Sequence, residues 1–297
     1  MEEVLLLGAL PPDVQAALSA RYALVPDGPE AGALARFRAA VTTSITGADA
    51  AALARLPGLR LLGCMGVGLD RIDIDAAARR GIAVRHTPDA VRTDTADAAV
   101  ALVFATVRRV AEADRFVRAG RWGTGRMTPS RRVSGMTAGI VGLGHIGAMV
   151  ARSLSGCGLD VAYTGPRPKP GAGWPFVADL GALAERSGVL VLCCPGGAAT
   201  RGIVSAEVLR RLGPAGYLVN VARGSVVDET ALLAALESGR IAGAGLDVFA
   251  REPGLDARFL ALDNVVLTPH YASVTREARG EMAAALLAAL DGLFGEG

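Results

Sequence analysis

The sequence contains almost no lysine and has no strong excess of charge of either sign. Lys169 is the only lysine among 297 residues, and 31 basic residues stand against 29 acidic ones, which gives a net charge of +2. A lysine Schiff base could therefore form only at Lys169. Because nucleic-acid-binding proteins usually carry a marked basic excess, we do not expect a nucleic acid as a partner.

Long apolar runs and paired cysteine motifs are also missing. No apolar run reaches the roughly 18 residues that a membrane span requires. The acidic start MEEVLLLGA differs from the positive start of a secretory signal peptide. None of the four cysteines forms a Cys-x-x-Cys pair, which disfavours a disulfide framework or a zinc site. These absences predict a cytoplasmic protein with reduced thiols, no bound metal and no membrane partner.

Short apolar runs alternate with segments rich in alanine and leucine along most of the chain. Because buried strands separated by helices form parallel sheets, this alternation predicts an α/β fold. A first series of strands is predicted at residues 4–9, 39–44, 59–66 and 82–86. A second series of six strands follows Met136. A single long helix over 94–120, followed by a loop rich in Gly, Arg and Pro, marks the boundary between two domains.

A glycine-rich turn opens the second series. The segment GIVGLGHIG has the Gly-x-Gly-x-x-Gly spacing, with an apolar strand before it and an apolar helix after it. In a dinucleotide-binding turn the glycines permit the tight turn, the approach of a pyrophosphate and close packing of helix on strand. The residues predicted to contact a nicotinamide nucleotide here are Gly142, Leu143, Gly144, His145, Ile146 and Gly147.

The next predicted strand ends in AYTGPRPKPG, where an NAD-binding protein usually carries an acid. The stretch has no carboxylate, and the nearest preceding acid, Asp160, lies at the other end of the strand. An open turn of Gly165 and Pro166 followed by Arg167 suits the 2′-phosphate of NADP. We therefore predict NADP(H) in preference to NAD(H), with Arg167 as the main contact; a solvated basic loop is the alternative.

Three histidines are candidates for a proton donor. His145 lies within the glycine turn, beside the predicted nucleotide phosphates, and His86 lies in an HTPD turn that suits a structural role. His270, in VVLTPHYAS, follows a strand of the second series. Open α/β sheets bind ligands at the carboxyl ends of their strands, so His270 is the favoured donor.

Two charged residues follow other strands of the same series. Arg223 comes after YLVNVA, and Glu252 comes shortly after AGAGLDV. Arginine can bind a carboxylate through two parallel hydrogen bonds, and a glutamate beside a histidine fixes its tautomer. Arg223, Glu252 and His270 together predict a site that reduces an anionic carbonyl compound, with His270 giving the proton. The plainer alternatives are a loop-capping arginine and a solvated surface glutamate.

Five segments, in order, resemble the D-isomer-specific 2-hydroxyacid dehydrogenases: residues 66–89, 139–147, 220–232, 242–253 and 264–279. The resemblance implies a flavodoxin-like substrate domain formed by residues 1–97 plus 272–297, and a Rossmann NAD(P)-binding domain formed by residues 98–271. Each domain is expected to contain a parallel sheet flanked by helices. The resemblance also implies a homodimer that is built through the long helix.

The resemblance implies a role for each candidate residue. The catalytic set of the family falls on Arg223, Glu252 and His270. Backbone amides near Val67 and Gly68 would hold the substrate carboxylate, with Arg223 and His270 also contacting the substrate. The implied contacts to the nucleotide beyond the glycine turn are Val221 and Asp247, the latter at the nicotinamide carboxamide.

The substrate stays open among several 2-keto acids. HTPD, TGPRPKP and CCPGGAATRG are most similar to glyoxylate/hydroxypyruvate reductases and to relatives that act on hydroxyphenylpyruvate or 2-ketogluconate. We expect a small 2-keto acid and a D-2-hydroxy acid as the product. A nucleotide-sensing, corepressor-like binding protein is the alternative from another functional class.

Overall fold

The computed structural model describes residues 1–28 and 33–295, which fall into two compact units. The first unit comprises Met1–Arg92 and Val274–Gly297, and the second comprises Thr93–Ser273. The domain boundaries that the sequence predicts, after residues 97 and 271, lie a few residues from these divisions.

A five-stranded parallel sheet forms the centre of the first unit. Its strands are β1 (Glu3–Leu6), β2 (Ala23–Pro26), β3 (Ala39–Thr43), β4 (Leu61–Met65) and β5 (Ala83–His86). Their order across the sheet is β2-β1-β3-β4-β5. The helices of this unit are α1 (Pro12–Ser19), α2 (Ala50–Ala54), α3 (Ile74–Arg79) and α10 (Arg276–Phe294).

Alternation along the strands distributes apolar side chains to both faces of this sheet. Leu5 belongs to an apolar cluster with Leu53 of α2, whereas its neighbour Val4 belongs to a cluster with Leu286 of α10. Successive strand residues point to opposite faces, so one apolar run supports helices on both sides. Glycine at Gly63 lets α10 approach β4, because a Cβ there would lie 2.9 Å from the Leu286 side chain.

A six-stranded parallel sheet forms the centre of the second unit, as the sequence predicts. Its strands are β6 (Thr137–Val141), β7 (Asp160–Thr164), β8 (Val189–Leu192), β9 (Tyr217–Asn220), β10 (Gly243–Leu246) and β11 (Val265–Leu267). Their order is β11-β10-β9-β8-β6-β7. Because the order reverses between β6 and β8, a crevice opens at the carboxyl ends of these two strands, where open α/β sheets bind ligands.

The helices associated with the second sheet are α4 (Arg92–Val107), α5 (Val110–Arg118), α6 (His145–Gly156), α7 (Leu180–Glu185), α8 (Ala206–Leu212) and α9 (Glu229–Glu237). The prediction of one helix over 94–120 is wrong, since α4 ends before Arg109 and α5 begins after it. Arg109 has a left-handed backbone with φ of 54°. Its guanidinium binds both oxygens of Glu112, at 2.5 and 2.8 Å, which holds the break in place.

The strand β2 is a second difference from the sequence-based prediction. It lies at the edge of the first sheet and, among the described strands, pairs with β1 alone, with Pro26 opposite Leu6. A proline is tolerated at a sheet edge because no neighbouring strand there needs the N–H that proline lacks. Along the part of the chain that the structure describes, no helix combines the length and apolar character that crossing a membrane requires.

Candidate active site

Steric contacts make glycine necessary at two positions of the turn that follows β6. Gly142 has φ of 94°, and a Cβ there would lie 2.7 Å from the Cα of Cys194, which follows β8. A Cβ at Gly147 would lie 2.1 Å from the carbonyl oxygen of Gly142. The turn therefore closes tightly between β6 and β8, and α6 packs directly against it.

The remaining glycine of the turn, Gly144, faces open space. No atom lies within 4 Å of a Cβ placed on Gly144, which is the N-cap residue of α6. The helix has twelve residues, no side-chain cap and no acidic residue in its first turn. Its first amide groups and positive dipole end are thus available to an anion. These features fit the pyrophosphate of a dinucleotide, with His145 and Ile146 in the first turn and Leu143 buried beneath it.

The turn after β7 presents cations without an acid. Thr164 occupies the end of the strand, is buried, and donates its hydroxyl to the carbonyl of Ala178 at 3.4 Å. Arg167 is exposed, as are the residues that flank it. The N–H of Lys169 donates to the hydroxyl of Tyr163 at 2.7 Å, which ties the loop back to the strand. Asp160 begins β7 and so lies at the opposite edge of the sheet.

Arg223 lies three residues beyond β9 and is held by its neighbours. The buried side chain of Asn220 accepts a hydrogen bond from the N–H of Ala222 and donates one to the carbonyl of Arg223, both at 3.0 Å. A Cβ on Gly196 would lie 2.7 Å from Cγ of Arg223, so the arginine stem packs against a bare backbone. Asn220 thereby fixes a turn that presents Arg223 beyond the strand end. Asn220 is a candidate functional residue beyond those that the sequence predicts, although an asparagine that closes a buried strand is a typical turn signal.

His270 and Glu252 form a direct pair. Nδ1 of His270 lies 2.8 Å from Oε2 of Glu252, and their side chains are 24% and 14% exposed. The other carboxylate oxygen accepts a hydrogen bond from the N–H of Phe249 at 2.9 Å. Because a carboxylate only accepts, Nδ1 carries a proton, and Nε2 is the ring atom left to act on a ligand.

The surroundings of Glu252 keep it ionised. Burial raises the pKa of its carboxyl group, but the hydrogen bonds from His270 and from Phe249, together with the charges of His270 and Arg223, outweigh burial. The pKa of Glu252 therefore lies below its usual value of 4.5. At neutral pH the pair consists of a histidine held by a carboxylate anion.

Asp247 organises the turn that carries His270. Its carboxylate, 1% exposed, accepts hydrogen bonds from the hydroxyl of Thr268 and from the N–H groups of Tyr271 and Ala272, at 2.5, 2.7 and 3.0 Å. Its main-chain carbonyl accepts from the N–H of His270 at 2.9 Å. His270 itself has φ of 53°, an uncommon value for a residue with a side chain. The dense bonding to Asp247 holds this backbone, a support that spacing in the sequence did not reveal.

The other predicted site residues, Val221, Val67 and Gly68, belong to other segments of the chain than His270 and Glu252. Val221 is buried directly after β9. Val67 and Gly68 belong to the first unit, in the turn that follows β4, and the Val67 side chain is 36% exposed. His86, the alternative proton donor, ends β5 and contacts the carbonyl of Val67 through Nδ1 at 3.0 Å.

Comparison with known proteins finds relatives along most of the chain. The sequence profile of the family described as "D-isomer specific 2-hydroxyacid dehydrogenase, NAD binding domain" matches residues 100–272. A hydroxyphenylpyruvate reductase from Plectranthus scutellarioides is 40% identical over 258 residues, which cover 87% of this chain and 82% of that protein. A 2-ketogluconate reductase from Gluconobacter oxydans is 43% identical over 247 residues, which cover 83% of this chain and 80% of that protein.

A solved structure extends the similarity to the whole fold. An NADPH-dependent glyoxylate/hydroxypyruvate reductase from Sinorhizobium meliloti, in complex with NADP and malonate, matches with a TM-score of 0.88 and 35% identity. The match covers 95% of this chain and 90% of that one. The family that the five sequence segments predict is confirmed by these findings. The chain belongs to the D-isomer-specific 2-hydroxyacid dehydrogenase family.

Proposed function

We propose that the protein reduces a small 2-keto acid of the glyoxylate/hydroxypyruvate type to the D-2-hydroxy acid, with NADPH preferred over NADH. The observation that carries the proposal is the 2.8 Å contact between His270 and Glu252 beyond the strand ends of the second sheet. That sheet also has the glycine turn and the uncapped helix α6. A held proton donor and a dinucleotide turn on one sheet are the parts that hydride-dependent carbonyl reduction needs.

His270 acts as the proton donor in this proposal. Its Nδ1 proton is committed to Glu252, so the protonated ring donates from Nε2 to the carbonyl oxygen of the substrate. Glu252 stays ionised at neutral pH, stabilises the positive ring and keeps its plane fixed. The pair therefore holds the proton that is transferred to the substrate at Nε2 of His270.

Arg223 and two backbone amides recognise the charge of the substrate. The guanidinium suits an α-keto carboxylate, because it can donate two parallel hydrogen bonds to adjacent oxygens. The N–H groups of Val67 and Gly68 bind the same carboxylate in this proposal. Recognition then combines one fixed positive charge with neutral backbone donors.

In this proposal the second unit would hold the nucleotide at three places. The turn from Gly142 to Gly147 and the start of α6 take the pyrophosphate. Gly165, Pro166 and Arg167 take the 2′-phosphate, while Val221 and Asp247 lie at the nicotinamide end. When bound, the nicotinamide supplies the hydride. Asp247 already accepts three hydrogen bonds to its carboxylate and retains lone-pair capacity for one more donor.

A larger 2-keto acid is the second candidate substrate. It is favoured by the relatives that act, by name, as hydroxyphenylpyruvate reductase and 2-ketogluconate reductase, at 40% and 43% identity. The two candidates share the same chemistry at the carbonyl and differ only in the group attached to it.

A panel of substrates tests the function. The purified protein is incubated with NADPH or NADH and with glyoxylate, hydroxypyruvate, pyruvate, hydroxyphenylpyruvate or 2-ketogluconate, and the loss of absorbance at 340 nm is followed. We expect the highest kcat/KM with glyoxylate or hydroxypyruvate and NADPH. A highest value with hydroxyphenylpyruvate or 2-ketogluconate would select the second candidate, and no oxidation with any keto acid would reject the reductase proposal.

We also propose that the protein is a cytoplasmic homodimer. The helix α5 and the turn after it expose Val110 and Val117, each 53%, and Trp122, 73%. Exposed apolar side chains clustered in one segment favour burial against another protein surface, here a second copy of the chain. None of the described cysteines forms a disulfide, which suits a reducing compartment. Light scattering coupled to size-exclusion chromatography should give twice the 30.3 kDa chain mass, and a monomer at micromolar concentration would reject the dimer.

A further inference from the structure

The turn that follows β4 is fixed through its carbonyl groups by the end of β5. The N–H of Thr87 donates to the carbonyl of Gly66 at 3.0 Å, and the Thr87 hydroxyl accepts from the N–H of Gly66 at 2.9 Å. Nδ1 of His86 lies 3.0 Å from the carbonyl oxygen of Val67. Because a carbonyl only accepts, Nδ1 of His86 must carry the proton of this hydrogen bond.

The direction of these carbonyls determines the direction of two amides. The peptide bonds that join Gly66 to Val67 and Val67 to Gly68 are trans. In a planar trans peptide the C=O and the following N–H point in opposite directions. Since the Gly66 and Val67 carbonyls face β5, the N–H groups of Val67 and Gly68 face away from it.

Other contacts restrict the turn to this conformation. Gly66 has φ of 116°, which an L side chain rarely adopts, and a Cβ there would lie 2.6 Å from the Ser44 hydroxyl. The Sγ of buried Cys64 lies 3.9 Å from the carbonyl of Gly68, within reach of a weak S–H hydrogen bond. Among these supports, the imidazole of His86 is the side chain bonded to the carbonyl of the peptide between Val67 and Gly68, so it opposes a flip of that peptide.

We propose that His86 is a positioning residue for substrate binding, acting through the peptide between Val67 and Gly68. This inference rests on the proposed function, in which the two amides bind the carboxylate of a 2-keto acid. The imidazole does not touch the reacting atoms. It keeps the Gly68 N–H directed at the carboxylate, so that binding does not require the peptide to reorient.

The experiment compares three variants with the unmodified protein. His86→Phe keeps a ring of similar size and removes the donor, whereas His86→Asn restores a donor at the position of Nδ1. Arg85→Gln, one residue earlier on β5 and exposed, is the matched control. For each protein, KM and kcat are measured with glyoxylate and NADPH. Binding of oxalate, a dicarboxylate that cannot be reduced in this reaction, is measured by isothermal titration calorimetry, and thermal unfolding is followed by circular dichroism.

We expect His86→Phe to raise KM for glyoxylate and Kd for oxalate by about tenfold, the loss typical of one hydrogen bond at a binding site. Its kcat should stay within about threefold, and its unfolding temperature close to that of the control. His86→Asn should recover most of the lost affinity. Unchanged KM and Kd in His86→Phe, a loss confined to kcat, or an equal defect in His86→Asn would each overturn the inference. An unmodified protein that binds no oxalate and reduces no keto acid would instead reject the proposed function.

Discussion

The two parallel sheets of this protein end in turns whose shapes are fixed in different ways. In the first unit, the turn after β4 has its carbonyls bound by the His86 side chain and the Thr87 N–H, so these hydrogen bonds set the direction of the amides that follow the carbonyls. In the second unit, the turn after β6 has its shape imposed by glycine, and the start of α6 supplies the donors. Similar sheets thus give one turn fixed by hydrogen bonds and another fixed by close packing.

The units also differ in what they add beyond the strand ends. The side chains of Arg223, Glu252 and His270 follow strands of the second sheet, and the turn that carries His270 is bonded to buried Asp247. The corresponding turn of the first sheet offers backbone groups. The proposed roles predict a partial separation of chemistry from recognition: loss of the proton donor in the second unit should alter mainly kcat, and loss of the contacts that fix the turn of the first unit should alter mainly KM.

The largest effect is expected from His270→Ala. Loss of the proton donor should lower kcat by about a thousandfold, within the range typical of general acid catalysis. KM for glyoxylate should change far less, and the Kd for NADPH, measured by isothermal titration calorimetry, should stay within about threefold. The separation of chemistry from recognition would fail if His270→Ala retained its kcat, because another group would then be the donor.

A smaller loss is expected from Glu252→Gln, which keeps the shape of the side chain and removes its charge. A neutral amide no longer stabilises the protonated ring of His270, so kcat should fall by about a hundredfold. His270→Ala combined with Glu252→Gln should be little worse than His270→Ala alone, since the two residues act as one unit. Full additivity of the two losses would show that Glu252 acts independently.

Glu252 also gives a pH dependence of stability. Its pKa in the folded protein lies below the usual 4.5, so the unfolded chain binds the proton more readily. The contribution of Glu252 to stability is therefore fully present above pH 4.5 and is lost as the pH falls through the lowered value. Thermal unfolding of the unmodified protein and of Glu252→Gln should differ most above about pH 5, and the difference should shrink on acidification. A difference that grows below pH 4.5 would contradict the lowered pKa.

Asp247→Asn should have an intermediate effect on both stability and turnover. The amide keeps one acceptor oxygen and places an N–H₂ group where the other carboxylate oxygen accepts now, so the N–H of either Tyr271 or Ala272 loses its acceptor. We expect unfolding to become easier by about 2 kcal/mol, the cost of a buried charged hydrogen bond, and kcat to fall by about tenfold as His270 loses its position. Asp263→Asn is the control, because Asp263 is an exposed acid of the same unit that pairs with Arg115. If urea unfolding gave the same free energy of unfolding for the two variants, Asp247 would not stabilise the turn as we infer.

Much of this architecture follows from patterns that are visible in the sequence. The six strands after Met136 and the glycine turn were predictable because buried parallel strands and phosphate-binding turns impose strict local requirements. The approach of Glu252 to His270 was predictable for a related reason, since the carboxyl ends of parallel strands meet at one edge of a sheet. Their catalytic role stays a prediction until the variants above are measured.

The supporting contacts could not be predicted from the sequence, because they join groups that local spacing does not relate. Asp247 bonds to Tyr271 and Ala272, 24 and 25 residues away, and His86 bonds to Val67, 19 residues away. The break at Arg109 depends on one side chain reaching Glu112, against an uninterrupted helical pattern. Such bonds depend on how close two loops come after the sheet has formed, which periodicity does not encode.

The smallest effect is expected at the turn after β7, which we propose selects between NADPH and NADH. Arg167 is exposed and no carboxylate follows β7 before it, so Arg167→Ala should raise KM for NADPH by roughly fivefold, as expected for one exposed charged contact. KM for NADH should stay nearly unchanged, because NADH lacks the 2′-phosphate. Lys169→Ala is the matched control, since Lys169 joins Tyr163 through its backbone N–H, which the variant keeps. Equal losses with both nucleotides would mean that Arg167 supports the fold of the turn, and tighter use of NADH by the unmodified protein would reject the preference for NADPH.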